Sequence, residues 1–143
     1  MLTRFLSAAG SPNSQTWIFE GIEDEVIGDF GLSGGGAAGF ELDRADFALG
    51  TPPNALLLAR SESHQGHFGA VPEDLLSHLA TVTGERPKDL IRAEIVYFET
   101  TAGGAVFSTG SITFCGSLSY NNYDNNISRI LENVLRRFAS SHP

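Results

Sequence analysis

A pair of carboxylates, Glu41 and Asp43, follows directly on a glycine-rich run that extends from Gly28 to Gly39. A carboxylate beside backbone rich in N–H donors can act as a general acid or base where burial raises its pKa. The same spacing describes an exposed strand acid paired with Arg44, and on spacing alone that plainer reading is favoured. Asp43-Arg44-Ala45-Asp46 equally suits a local ion-pair network that holds the loop.

Other reactive side chains are weaker signals. Glu62-Ser63-His64-Gln65-Gly66-His67 supplies two imidazoles and a carboxylate, but Gly66 breaks the helical i, i+4 face that metalloprotease ligands need. These histidines are expected in an exposed loop, where their special property is titration near neutrality. Cys115 is followed by small residues, yet a catalytic thiol needs a base and an oxyanion site, and an unpaired cysteine is commonly buried. It is read as structural. Tyr120-Asn121-Asn122-Tyr123-Asp124-Asn125-Asn126 suits helix capping more than ligand presentation. Ser108-Thr109-Gly110-Ser111 is open between turn chemistry and ligand contact.

The elements that must position these groups are bounded by composition. A length of 143 residues fits about one domain, and 41% hydrophobic with 18% charged residues allows a folded core. Nine Lys and Arg against 17 Asp and Glu give a net charge of -8, which repels phosphate backbones and anionic lipid headgroups. Neither nucleic acid nor a membrane is expected as a partner. The single cysteine forms no intrachain disulfide, no Cys or His group has metal-ligand spacing, and a cytoplasmic setting is expected. No apolar run reaches the roughly 18 residues of a membrane span, and residues 1–10 lack the apolar run of a secretory signal. Glycine is the outlier at 16 residues, concentrated in the Gly28–Gly39 loop, whose backbone can take positive φ and approach another group closely.

Residues 1–15 lack periodicity and are read as a tail or loop, leaving 16–143 as the structured part. Thr16-Trp17-Ile18-Phe19 is a short strand candidate. Phe40-Glu41-Leu42-Asp43 alternates with period two, which in an extended segment puts both acids on one face. The apolar run Asn54–Ala59 fits a strand covered on both faces. Pro72–Leu79 reads as a short helix, and Leu90–Thr100 with Ala105–Ser108 reads as a hairpin turned by Ala102-Gly103-Gly104. Ile127, Ile130, Leu131, Val134, Leu135 and Phe138 recur at helical spacing, with Asn125 or Asn126 as N-cap. Strands mixed with one amphipathic helix point to an α/β or α+β class.

Several motifs occur together in order: Ile18-Phe19-Glu20-Gly21, Gly28-Asp29-Phe30-Gly31-Leu32, Gly35-Gly36-Ala37-Ala38-Gly39-Phe40-Glu41-Leu42-Asp43-Arg44, and Leu49-Gly50-Thr51-Pro52-Pro53. Val96-Tyr97-Phe98-Glu99-Thr100, the run from Gly103 to Ile112 and the run from Asn125 to Leu135 follow. Over residues 17–138 this succession resembles the C-terminal region of the large (β) subunit of N,N-dimethylformamidase and its relatives.

The resemblance implies an α/β fold, a portion of a glutamine-amidotransferase-like (flavodoxin-like) sheet with a C-terminal amphipathic helix. It implies an amidohydrolase, with a large subunit much longer than this chain, acting on a small N-substituted formamide or related amide. Its mononuclear iron is held by two tyrosines and a glutamate upstream of the matched segment, so no metal ligand is assigned here and none to Tyr97, Tyr120 or Tyr123. One functional residue carries over: the glutamate of Ala38-Gly39-Phe40-Glu41-Leu42-Asp43-Arg44 makes Glu41 catalytic, moving a proton between water and the departing amine, in place of the plainer reading above. A thiol nucleophile is not expected, because Cys115 does not sit in a glycine-flanked elbow. The implied partners are the upstream part of the same large subunit, a small subunit and further copies of the chain. The isolated chain is expected to be inactive and without a cofactor.

A reading from another class is a noncatalytic assembly or interaction module of the same fold. It expects the strands at Ala55–Leu58 or Ile95-Val96 to be left uncovered and buried by a partner. A small-molecule-binding relative of the fold is a third reading.

Overall fold

The computed structural model describes residues 5–7, 16–32, 35–64, 68–69 and 89–140. Within them run strands β1 (Phe5–Ser7), β2 (Val26–Ile27), β3 (Leu56–Ser61), β4 (Glu94–Glu99) and β5 (Ala105–Ser108), then helices α1 (Thr113–Leu118) and α2 (Asn126–Ser140). The strands form one sheet in the order β2-β1-β3-β4-β5, and every pairing is antiparallel. The mixed strand and helix class and the C-terminal helix are as expected. The parallel pairing of a flavodoxin-like sheet does not occur among the described residues. Parallel neighbours need a crossover of a dozen or more residues, whereas β4 returns as β5 through a turn closed by Gly103 N donating to Thr100 O (3.0 Å) and Thr100 N to Gly104 O (2.7 Å).

Three local expectations change. Residues 5–7, inside the expected tail, form β1 between β2 and β3. Thr16–Phe19 is a 3-10 turn and not a strand. Ile18 and Phe19 are adjacent and both buried; a strand would send them to opposite faces. The turn instead presses both on α2, where Asn133 Nδ2 donates to the carbonyls of Ile18 and Glu20 at 3.0 Å each. Phe40–Asp43 is not a strand either. The Pro72–Leu79 helix lies outside the described residues.

β3 and β4 pair Leu57 with Val96 and then Ala59 with Ile95, so a bulge falls at Leu58. The bulge shifts the in-out alternation by one residue, which is why Leu58 and Ala59 are buried in succession while Arg60 turns outward, opposite Glu94. α2 is capped by Asn125, whose Oδ1 accepts from Ser128 N at 2.9 Å. Its Ile127, Ile130 and Val134 are buried in one cluster with Leu58, Ile95 and Phe114. Burial of each such side chain stabilises the fold by about 1.5–3 kcal/mol. Leu135, assigned to the same stripe, is exposed.

Of the strands expected to be uncovered, Ala55, Leu58, Ile95 and Val96 are buried within the chain, whereas Leu56 is partly buried and Leu57 is exposed. The described part of the glycine loop is packed. A Cβ on Gly28 (φ +63) would strike Ala37 and Ile127, and Ala37 N donates to Gly28 O at 2.8 Å. Ser117 Oγ donates to Phe30 O at 2.7 Å and joins the loop to α1. No helix among the described residues is long and apolar enough to cross a membrane.

Candidate active site

The glycine run ends on an anchored backbone. Ser111 Oγ accepts from Gly39 N at 2.9 Å and donates to Gly39 O at 2.8 Å. Thr113 Oγ1 donates to the same carbonyl at 3.2 Å. Glu41 N also donates to Gly39 O, at 2.8 Å, so residues 39–41 close a three-residue turn around Phe40, whose φ is +61. A γ-turn with a positive φ at a side-chain-bearing residue is rare and strained, and such strain amounts to about 1–3 kcal/mol held by the surroundings. Phe40 does not hold itself, since its side chain is 73% exposed.

Past this turn the chain is tied down again. Asp43 N donates to Gly110 O at 2.8 Å, Glu94 N donates to Asp43 O at 2.9 Å, and Ala45 N donates to Glu94 Oε2 at 2.8 Å. Asp46 Oδ1 accepts from Ala48 N at 3.0 Å and caps the 3-10 turn Phe47–Leu49. Arg44 NH2 lies 3.5 Å from Asp46 Oδ2. Arg44 thus pairs with Asp46, and no ion pair with Glu41 occurs among the described residues. Of the expected Asp43-Arg44-Ala45-Asp46 ion-pair network, the Arg44–Asp46 pair is present, while Asp43 contributes through its backbone.

Glu41 is exposed, and no described side chain takes its carboxylate as a hydrogen-bond or ion-pair partner. It stands at a cleft of about 520 Å³ whose walls include Phe40, Leu42, Leu49, Phe68 and Leu90, with Asp43 and Arg44 beside it. The lining is mixed, with these apolar walls beside the charged side chains of Glu41, Asp43, Arg44 and Asp46, and a small-molecule site likewise combines apolar walls with a few placed polar groups. A carboxylate held by backbone on both sides but free at its oxygens can take and return a proton.

The other candidates are dispersed. His64 is buried, correcting the expectation of an exposed loop. Its Nε2 lies 2.7 Å from Ser61 Oγ, its ring stands edge-on to Phe68, and burial holds its pKa below the ordinary imidazole value. His67 lies outside the described residues. Cys115 is exposed on α1, correcting the expectation of a buried thiol. Tyr97 donates to Glu99 Oε1 at 3.0 Å, and burial, with the Glu99 carboxylate behind it, raises its pKa. Tyr120 stacks on Phe30 with ring centroids 4.6 Å apart, and Tyr123 is exposed on a left-handed turn with Asn121 and Asn122. Among the described residues, no three His, Cys, Asp or Glu side chains come together as a metal-binding group. The cleft also has no described tyrosine in its walls; these residues do not by themselves fit an iron site.

Ser111, Thr113 and Glu94 hold the site but were not singled out by the sequence as its supports. The available signals were Ser111 in a polar turn of open meaning, and Glu94 as an acid two residues after Arg92 in an otherwise apolar strand.

Comparison with known proteins finds the same family. The family model described as N,N-dimethylformamidase beta subunit-like, C-terminal, matches residues 3–125. The N,N-dimethylformamidase beta subunit of Paracoccus aminophilus is 52% identical over 138 residues, covering 92% of this chain and 18% of that protein. The protein of the same name from an Alcaligenes species is 51% identical over 138 residues, with the same coverage. The chain therefore spans less than a fifth of the length of these relatives. With the family model covering most of its residues and two relatives more than half identical over nearly all of it, the chain belongs to the N,N-dimethylformamidase beta subunit-like, C-terminal family.

Proposed function

We propose that this chain is the C-terminal part of an amide-hydrolysing large subunit, and that Glu41 is its catalytic residue. The observation that carries this reading is the presentation of Glu41: a carboxylate without a side-chain partner among the described residues, at a cleft of mixed apolar and charged lining, on a strained turn fixed from both sides. The names of the relatives point to an N-substituted formamide as substrate.

On this reading a water oxygen attacks the amide carbonyl carbon while Glu41 accepts one of its protons. The C–N bond then breaks as Glu41 returns that proton to the nitrogen, giving a carboxylic acid and an amine. The apolar side chains of the cleft, among them Leu42, Leu49, Phe68 and Leu90, receive the alkyl groups on nitrogen. The family's iron, on ligands supplied by the rest of the longer polypeptide, would add electrostatic stabilisation of the carbonyl oxygen. On the same reading this antiparallel part is a portion of a larger glutamine-amidotransferase-like domain. Upstream sequence, a small subunit and self-association remain the partners of this proposal, and the isolated chain is expected to be inactive.

The test is Glu41→Gln in the complete enzyme containing this chain. Release of dimethylamine from N,N-dimethylformamide is expected to fall by at least about 100-fold, with substrate affinity little changed. Turnover at the unsubstituted rate would remove Glu41 from the mechanism.

A further inference from the structure

We propose that Ser111 and Thr113 are positioning residues for Glu41, acting through the backbone of Gly39. This rests on the catalytic reading of Glu41 given above and adds the device that aims it. The carbonyl of Gly39 receives three donors: Ser111 Oγ at 2.8 Å, Thr113 Oγ1 at 3.2 Å and Glu41 N at 2.8 Å. Both hydroxyl-bearing residues are almost fully buried, at 4% and 2% exposure, so water cannot readily take their place. Ser111 also accepts from Gly39 N, which fixes the peptide groups on both sides of that residue.

The same short segment grips the far side of the turn. Gly110 O accepts from Asp43 N at 2.8 Å. Residues 110–113 therefore hold residues 39 and 43, and Glu41 lies midway between these two points. The side chain of Phe40 contributes little to this, being mostly exposed. A left-handed residue with a mostly exposed side chain, closed locally only by the Glu41 N–Gly39 O bond, must be kept in place by what surrounds it, and the Ser111 and Thr113 hydroxyls are the side-chain groups that touch the turn's hydrogen-bonded carbonyl. Their role is to keep Glu41 at one position relative to the cleft, because small displacements of a proton-transfer group cost rate more than affinity.

The test compares Thr113→Val, Thr113→Ser and Ser111→Ala in the complete enzyme, each rate being divided by the amount of folded protein. Thr113→Val is nearly isosteric and removes only the hydroxyl. Together with Ser111→Ala it is expected to lower kcat at least tenfold while KM stays within about twofold, and Thr113→Ser to keep kcat within about twofold of the parent. In a Glu41→Gln background the same changes should have no further effect on kcat. If Glu41→Gln abolishes turnover but Thr113→Val and Ser111→Ala leave kcat per folded enzyme unchanged, the positioning role is overturned and the role of Glu41 stands. A Glu41→Gln enzyme with normal turnover overturns both.

Discussion

Arg60 and Glu94 face each other directly across the β3–β4 pairing, and Arg60 Nε lies 2.8 Å from Glu94 Oε1. Arg92 Nε reaches the same oxygen at 2.9 Å, and the other oxygen accepts from Ala45 N at 2.8 Å. The Glu94 side chain has no exposed surface, whereas that of Arg60 is 47% exposed. The carboxylate therefore joins the sheet to the segment that leaves the candidate site.

Removing the buried partner should cost far more than removing the wet one. Glu94→Gln leaves two guanidiniums facing a neutral amide and is expected to destabilise the chain by about 3 kcal/mol. Arg60→Ala, with Arg92 still in place, should cost about 1 kcal/mol or less. Urea unfolding with equal m-values checks this, and equal losses for the two variants would show that Glu94 is not a buried hub.

Glycine at 110 is required by a close approach. Its φ is +67, and a Cβ there would strike the Glu94 backbone. Gly21 has a similar φ of +78 with nothing within 4 Å of a Cβ. Gly21→Ala should thus cost about 1 kcal/mol, the left-handed penalty alone. Gly110→Ala should cost about 2–4 kcal/mol, because a collision is added to that penalty. Thermal unfolding of the two variants separates them, and similar melting points would refute the contact.

Much of this was legible in the sequence where one periodicity decided the structure. The α2 helix follows from the spacing of Ile127, Ile130 and Val134, and the β4–β5 hairpin from two β-rich runs around Gly103-Gly104. Thr16–Phe19 was misread because β-branched and aromatic residues also suit a turn whose adjacent side chains are both buried by α2. Phe40–Asp43 alternates like a strand, but hydrogen bonds from Ser111 and Thr113, more than 70 residues away, impose a turn that propensity cannot show. Cys115 and His64 exchanged their expected environments for the same reason: burial is decided by which face a distant element covers. The position of Glu41 came from the motif around it, and what aims it came only from the fold.

His64 makes stability depend on pH in a definite direction. Burial lowers its pKa from the ordinary imidazole value of 6.5, so the unfolded chain binds the proton more readily than the folded one. Its contribution is complete above pH 6.5 and is lost as pH falls from there toward the folded-state pKa. Unfolding midpoints measured between pH 7.5 and about 5.5 should decline with acidification, and His64→Gln should flatten the slope. A slope unchanged by the substitution would mean that another group titrates in this window.

Phe40 offers a test of the strained turn through the sign of a small difference. At ordinary positions alanine is more stabilising than glycine by about 0.5–1 kcal/mol, because glycine loses more backbone entropy on folding. At φ +61 the order should invert, since an L-residue there bears a penalty of about 1–2 kcal/mol that glycine escapes. Phe40→Gly should therefore be at least as stable as Phe40→Ala, and neither should approach the loss of about 3–5 kcal/mol seen when a core phenylalanine is truncated, because this ring is 73% exposed. Chemical denaturation of the two variants decides the matter. If Phe40→Ala proves the more stable by the ordinary margin, Phe40 does not occupy the left-handed region, and the turn that presents Glu41 has a different shape.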